Sequence, residues 1–379
     1  MNILNQEIIL RFFRGHYELF IAAVFIATFL LTYYLIPKVL WVSREKNLMA
    51  GVNDRSSHRI AVPTFGGVAF YITVVLVLSI LQSMRLTYVG NHLIAAITIL
   101  FMVGLKDDLV ISTARVKLFG QITAALFLIF SPELELDTLY GFLGIAAIPL
   151  AVGYLIKAFI VLALINSFNL IDGIDGLAGI IGIVISLAYG YFFYLAGHPY
   201  FVLVSLSLAG TLSAFLRFNF SRSSRKIFMG DSGSLVVGLI LAFLSLKVLA
   251  MDPQASLNFG GGHPGNRILL LAAVLFIPAF DTLRVIIIRK INGKNPFAPD
   301  KNHAHHVLLN LGFSHRRASA GLGLLNLLVI AIYLAFARVL SQPWLLFLVA
   351  LLYILVFLFF NWLKSLGERT QKTTIASRT

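Results

Sequence analysis

Apolar runs long enough to cross a bilayer recur along the chain, and the polar residues gather in the gaps between them. A transmembrane helix needs about 20 mostly apolar residues. Eleven runs of this kind can be read, at approximately 17–41, 66–84, 91–106, 117–131, 149–166, 177–196, 200–217, 233–250, 267–289, 319–339 and 343–363. The expected fold is all-α, a polytopic integral membrane protein forming one domain over 1–379, with no internal repeat and no soluble domain. The stretch 132–148, with Pro132, Glu133, Glu135 and Asp137, reads as a loop with a short interfacial turn. The first run, Leu19 to Val42, lacks a small-residue cleavage site and reads as a retained span. Tyr33, Tyr34 and Trp41 at its end fit an interfacial aromatic belt.

Composition agrees with this reading. Of 379 residues, 59% are hydrophobic and 12% charged, and the mean hydropathy is +0.90. A soluble domain carries about 25% charged residues, so this chain has too little polar surface to cover a water-soluble globule. The absence of cysteine excludes disulfides, thiolate nucleophiles and cysteine-bound metals. The net charge of +14 has a membrane explanation in the positive-inside rule. No basic patch interleaves with exposed aromatics on a soluble segment, so nucleic acid is not an expected partner. With the N-terminus outside, only Arg11, Arg14, Arg85, Lys247, Arg267 and Arg338 fall on the outer side and Lys157 falls deep in a span. The remaining Lys and Arg face inward, and an odd number of spans leaves the C-terminus cytoplasmic.

The inner loops also collect the acids. Asp107-Asp108 closes the third span, where two adjacent carboxylates repel and call for a cation. Asn166, Asn169, Asp172 and Asp175 recur at spacing three, so the first two share a helix face before Gly173 and Gly176 impose a turn. Oxygen-only donors of this type suit Mg²⁺, with Mn²⁺ as a substitute. Gly230-Asp231-Ser232-Gly233 opens the eighth span, and its amides and dipole end are suited to phosphate. Asp300 and the run His303-Ala304-His305-His306 lie in the longest inner loop. Without cysteine, and with histidines this close together, phosphate or sugar recognition alongside Arg289, Arg316 and Arg317 fits better than zinc.

Taken in order, these motifs resemble the polyprenyl-phosphate N-acetylhexosamine-1-phosphate transferases, the WecA-like and MraY-like enzymes of glycosyltransferase family 4. The resemblance runs from about residue 40 to 318. It rests on Asp107-Asp108 with Lys117 and Gln121, the stretch Asn166 to Ala178, Phe228 to Ser234, Pro278-x-x-Asp281-Thr282, and Asp300 to His306. The resemblance implies a bacterial inner-membrane enzyme with a cytoplasmic site. Its partners would be a UDP-N-acetyl sugar, most simply UDP-GlcNAc, undecaprenyl or another polyprenyl phosphate, and membrane lipid; a homodimer is compatible. It would release UMP, use Mg²⁺, and begin a cell-surface glycan such as O-antigen. By the same resemblance, Asp107 is the base or the group orienting the lipid phosphate, with Asp108 as electrostatic partner and Asp172 and Asp175 in the catalytic set. Asn169 and Asp231 hold the metal. Phe228 stacks on uracil, Asp175 lies near the nucleoside, and Lys117 binds the lipid phosphate. Asn166 joins the substrate-binding residues, while Arg289, His303, His305 and His306 contact the diphosphate or sugar.

Some features bear on the branch and the competing classes, and others depart from the family pattern. The His-Ala-His-His order is closer to the WecA-like branch than to the three consecutive histidines of the muramoyl-pentapeptide branch, which is the alternative within the family. The loop Asp54-Arg55-Ser56-Ser57-His58 lacks the usual Pro and Lys, and Ser223-Ser224-Arg225 replace a common Pro-Ala pair, which leaves Asn219 without a clear ligand role. A secondary transporter would place its acids near the bilayer midplane rather than at the inner edge.

Overall fold

The computed structural model describes residues 15–48, 62–84, 86–110, 112–253, 263–295 and 302–376, with side chains to 368. Asp54, Arg55, His58 and Asp300 lie outside the described residues. Among the described residues the chain is helical apart from one small hairpin and short turns. In order, the long helices are α1 (Tyr17–Glu45), α2 (Gly66–Ser83), α3 (Val89–Leu109), α4 (Ala114–Ile129), α5 (Leu150–Ile171), α6 (Leu177–Leu195), α7 (Pro199–Asn219) and α8 (Gly230–Ala250). They are followed by α9 (Arg267–Val274), α10 (Phe276–Ile291), the short α11 (Ala304–Asn310), α12 (His315–Phe336) and α13 (Gln342–Ala376).

Nine of these are long and apolar enough to span a bilayer, and α9 and α10 pass the same test only when taken together, bent by 72° as a broken span or a re-entrant loop. The remaining expected span, 117–131, appears as α4, whose 16 residues rise about 24 Å at 1.5 Å per residue, short of the ~30 Å hydrocarbon core. The ninth span is therefore broken at Leu275 rather than continuous. The stretch 132–148 also differs from a simple loop. It forms a 3-10 turn, Pro132–Leu134, and an antiparallel hairpin, β1 (Thr138–Phe142) and β2 (Ile145–Ala147).

Helix α8 is the axis of the bundle. Nearly all its side chains are buried, and it packs against α3, α5 and α2, while α7 packs between α1 and α6. Close approach depends on small residues. A Cβ on Gly104 of α3 would lie 2.6 Å from the backbone of Ser232, a separation no side chain tolerates, so only glycine lets α3 bring its last turn onto the start of α8.

Buried ionisable groups are more numerous than the sequence suggests. Lys157 is buried in α5 and donates to the Ile129 carbonyl at the end of α4, so it satisfies an open helix end instead of reaching for solvent. Arg267 does the same for α8, donating to the carbonyls of Leu249 (3.0 Å), Met251 and Asp252. Asp281 and Arg284 on α10 are buried as well. Lys157 is therefore not the only ionisable residue inside a span.

Candidate active site

The polar loops meet at one end of the bundle. Pro63 and Gly66-Gly67 run beside Phe228-Met229, with Phe228 N–H donating to Pro63 O (2.9 Å), Gly66 N–H to Phe228 O (3.0 Å) and Gly67 N–H to Met229 O (3.0 Å). This short extended pairing holds the entry to α8 against the start of α2.

At its centre lies an acidic cluster. Asp107 ends α3 and accepts from Ser112 N–H at 2.7 Å. The Lys117 ammonium lies 2.7 Å from Asp107 and also donates to Asp231, so one cation bridges two carboxylates. Asn169 donates to Asp231 Oδ1 and to Ser234 Oγ, both at 2.9 Å. Asn166 sits one turn away on α5 and pairs with Gln121 through two amide contacts, of 2.9 and 3.3 Å.

Asp108 has a different task from the one its neighbour suggests. Its carboxylate accepts from Asp231 N–H (2.8 Å), Ser232 N–H (3.0 Å) and Ser232 O–H (2.6 Å). The first amides of a helix have no partner within the helix and carry its positive dipole end. Asp108 takes these donors, so the start of α8 is capped from α3. The expectation that these amides cradle phosphate is corrected by this contact. Asp231 is likewise not its own helix's cap; its side chain is left to face Lys117 and Asn169.

The turn 172–176 links the acidic cluster to two flanking groups. Asp172 is half-buried beside it. Burial, then the carboxylates of Asp231, Asp108 and Asp175, hold its pKa well above the usual carboxylate range. Asp175 accepts from Lys226 at 2.6 Å and lies 3.4 Å from His315 Nδ1, and its carbonyl accepts from Ser319 O–H at 2.8 Å. The same Lys226 ammonium lies 5.4 Å from the centre of the half-buried Phe228 ring. Asp175, Lys226, His315 and Phe228 thus form one flanking group at the acidic turn.

The histidines form the second flanking group. Asp281 accepts from Ala304 N–H (2.7 Å) and contacts His303 Nδ1 (2.7 Å), which fixes the start of α11. His303 and His305 stack with ring centres 5.6 Å apart, and the His306 ring lies tilted to them at 6.4 and 4.3 Å. His305 packs directly on the acidic turn: a Cβ on Gly173 would lie 2.6 Å from its Nε2. Burial pushes the His305 pKa down to about 3, so its imidazole is neutral, and neither ring nitrogen has a hydrogen-bond partner among the described residues. Arg289 is buried in the last turn of α10.

With this geometry in place, relatives sharpen the reading. The glycosyl transferase family 4 profile matches residues 91–249. A decaprenyl-phosphate N-acetylglucosaminephosphotransferase of Mycolicibacterium smegmatis is 34% identical over 319 residues, covering 79% of this chain and 77% of the relative. The chain belongs to glycosyl transferase family 4. An undecaprenyl-phosphate alpha-N-acetylglucosaminyl 1-phosphate transferase of Yersinia pestis is 28% identical over 286 residues, covering 74% of this chain and 75% of the relative. Its Escherichia coli K12 counterpart is 25% identical over 296 residues, covering 77% of each. For a family 4 member, the profile takes in the acidic cluster from Asp107 to Asp231, while the histidine segment and α9 to α13 lie beyond it.

Several residues of this family 4 site were missed or undervalued in the sequence. Lys226 and His315 stand outside any acidic pattern, and nothing local announces that they flank Asp175. Asp281 was visible only as part of Pro278-x-x-Asp281-Thr282. Asn219 is a scaffold residue: buried, it accepts from Gly176 N–H (2.6 Å) and donates to Ile227 O (2.9 Å), tying the acidic turn to the Phe228 loop. Asn219→Ala strands both backbone groups, at about 1–3 kcal/mol each. We expect the apparent Tm in detergent to fall by roughly 3–10 °C, with Asn219→Asp intermediate because it keeps only the acceptor. An unchanged melting curve for Asn219→Ala would remove this tie.

Proposed function

We propose that this family 4 protein transfers an N-acetylhexosamine 1-phosphate, GlcNAc 1-phosphate first among them, from a UDP-sugar to a polyprenyl phosphate at the cytosolic face of the bacterial inner membrane. The single observation that carries the reading is the convergence of Asp107, Asp108, Asn169, Asp172 and Asp231 in one cluster centred on Asp231, in which the Lys117 ammonium bridges Asp107 and Asp231. The relatives' names, a decaprenyl-phosphate and an undecaprenyl-phosphate transferase, support the lipid acceptor and the sugar. The crowding of Lys and Arg at the loops of this end supports the cytosolic side.

In the reaction, an oxygen of the lipid phosphate attacks the phosphorus that bears the sugar. The bond from that phosphorus to the UMP oxygen breaks, and UMP leaves with the electron pair. A lipid phosphate is already anionic near neutral pH, so the main demands are charge neutralisation and in-line positioning. Lys117 answers the acceptor phosphate, and Asp107, held by Ser112 N–H, orients Lys117. Phe228 offers a face for the uracil, with Asp175 and Lys226 beside it. His306, the partly exposed ring of the three, would contact the diphosphate or sugar, with the buried His303 and His305 behind it.

The donor set fits a divalent cation. Among the described residues neither Asp108 nor Asp172 has an ion-pair partner, and Lys117 alone cannot offset four neighbouring carboxylates. Asp231 and Asn169 would hold Mg²⁺, with Asn169 turning its amide to offer the carbonyl oxygen. When bound, the ion would neutralise the diphosphate and stabilise the departing UMP.

The test is exchange of labelled UMP into a panel of UDP-sugars, in membranes that carry polyprenyl phosphate. UDP-GlcNAc should support exchange, EDTA should abolish it, and Mg²⁺ or Mn²⁺ should restore it. Absence of exchange with every UDP-sugar, in a folded preparation, would overturn the reading.

A further inference from the structure

The C-terminal helix α13 lies outside the family profile and carries none of the residues assigned above, yet it reaches the histidine segment. Its inward-facing stripe runs at helical spacing from apolar to polar. Tyr353 O–H donates to Ala272 O at 2.9 Å, and its ring meets Phe276 at 4.6 Å. Two turns on, Phe360 packs on Phe280 at 5.8 Å and lies 5.8 Å from the guanidinium of Arg284. Asn361 Oδ1 then accepts from Arg284 at 3.4 Å, and Lys364 donates to Asn302 Oδ1 at 2.9 Å.

These last contacts converge on one residue. Arg284, buried in α10, donates to the Asn302 carbonyl, while Lys364 holds the Asn302 side chain. Asn302 immediately precedes His303, whose ring is held by Asp281, and α11 packs on α13 at the same level. The segment bearing the histidines is thus clamped at Asn302 from two helices. One turn away from Asn302, His305 has nothing but packing to hold its ring among the described residues.

We propose that α13 fastens the His303–His306 segment against the acidic turn through Asn302, and that Asn361 and Lys364 are positioning residues for the transfer reaction. Asn361 sets the guanidinium of Arg284, which grips the Asn302 backbone; Lys364 grips its side chain. A cation donating to a neutral amide in a half-buried place is a strong hydrogen bond with a defined direction, whereas the other neighbour of Lys364, Glu368 at 4.0 Å, is an exposed ion pair of little weight. The kinetic consequence rests on the transferase reading above; the physical clamp does not.

Carbethoxylation by diethyl pyrocarbonate, resolved residue by residue by mass spectrometry, reads the clamp without turnover. His305 is 2% exposed in the intact fold. Lys364→Met, and Lys364→Met combined with Asn361→Leu, should raise its modification rate about fivefold or more, the effect of losing one ordinary hydrogen bond. His92 and His198, at the opposite end of the bundle, should react as in the parent protein. Lys364→Arg, which keeps a donor, should restore protection, and Glu368→Gln should leave it unchanged. In the exchange assay the same Lys364→Met protein should lose about fivefold or more in kcat/KM, again recovered by Lys364→Arg. An unaltered His305 rate in Lys364→Met would overturn the clamp; if the double variant unfolds, the single one decides. A protein with no exchange activity but with the expected change in His305 protection would remove the transferase reading and keep the clamp.

Discussion

Asp231→Asn should leave the protein folded and abolish turnover. Asp231 is half-buried, and its backbone amide, which bonds Asp108, is untouched by the change. The side chain is another matter. One oxygen accepts from Lys117 and the other from Asn169, so an asparagine must turn its NH₂ toward one of two donors. The expected stability cost is about 1–2 kcal/mol, which expression level and size-exclusion profile would register only slightly. The loss of a full negative charge from the proposed cation site is larger, and we expect UMP exchange to fall by at least ~10³-fold, or about 4 kcal/mol in barrier. The Mg²⁺ needed for half-maximal residual activity should rise. Turnover within tenfold of the parent protein would take Asp231 out of the cation shell.

Asp108→Asn is the second large effect, and it acts through structure. Both Asp108 oxygens are committed: Oδ1 to the Asp231 amide, Oδ2 to the amide and hydroxyl of Ser232. An asparagine can satisfy only one side and sets an N–H against an N–H on the other. The start of α8 then loses a charged cap, worth up to ~2 kcal/mol in a half-buried place, and Asp231 loses the anchor of its own main chain. We expect a fall of about 10²-fold in kcat/KM, because a displacement of about 1 Å in a positioned group costs that much, together with a lower apparent Tm. The two substitutions differ in what added Mg²⁺ does: high Mg²⁺ should partly recover Asp231→Asn and leave Asp108→Asn unrecovered. Equal recovery of both would mean that Asp108 acts on the cation directly rather than through the helix start.

Much of the bundle is legible from hydropathy because a lipid environment leaves one solution for backbone polar groups: each span must satisfy its own hydrogen bonds as a helix. That rule marks the ends of α1, α6, α7 and α12 to within a few residues. It fails where the chain obtains hydrogen bonds elsewhere. The hairpin β1–β2 pairs with itself in a stretch too polar to read as a span. The break at Leu275 is tolerated because Asn326, on α12, accepts from Ile277 N–H (2.9 Å) and donates to Val274 O (3.0 Å), filling the groups the bend releases. Asn326 sits deep in an apolar run, and its role depends on a partner fifty residues away.

The candidate site divides along the same line. Asp107, Asp108, Asn169, Asp172 and Asp231 stand out in the sequence because a carboxylate or amide beside an apolar run is costly and needs a reason. The sequence by itself therefore determined a helical membrane protein, the loops that carry its chemistry, and the oxygen-rich character of that chemistry. Which donor meets which acceptor was decided by tertiary structure alone. Asp107 and Asp108 are neighbours of the same type, yet one faces Lys117 and the other closes α8, because successive residues on a helix point about 100° apart and Gly104 lets only one of those directions touch Ser232. Charge and hydrophobicity are properties of a residue; partnership is a property of the packing that brings two helices together.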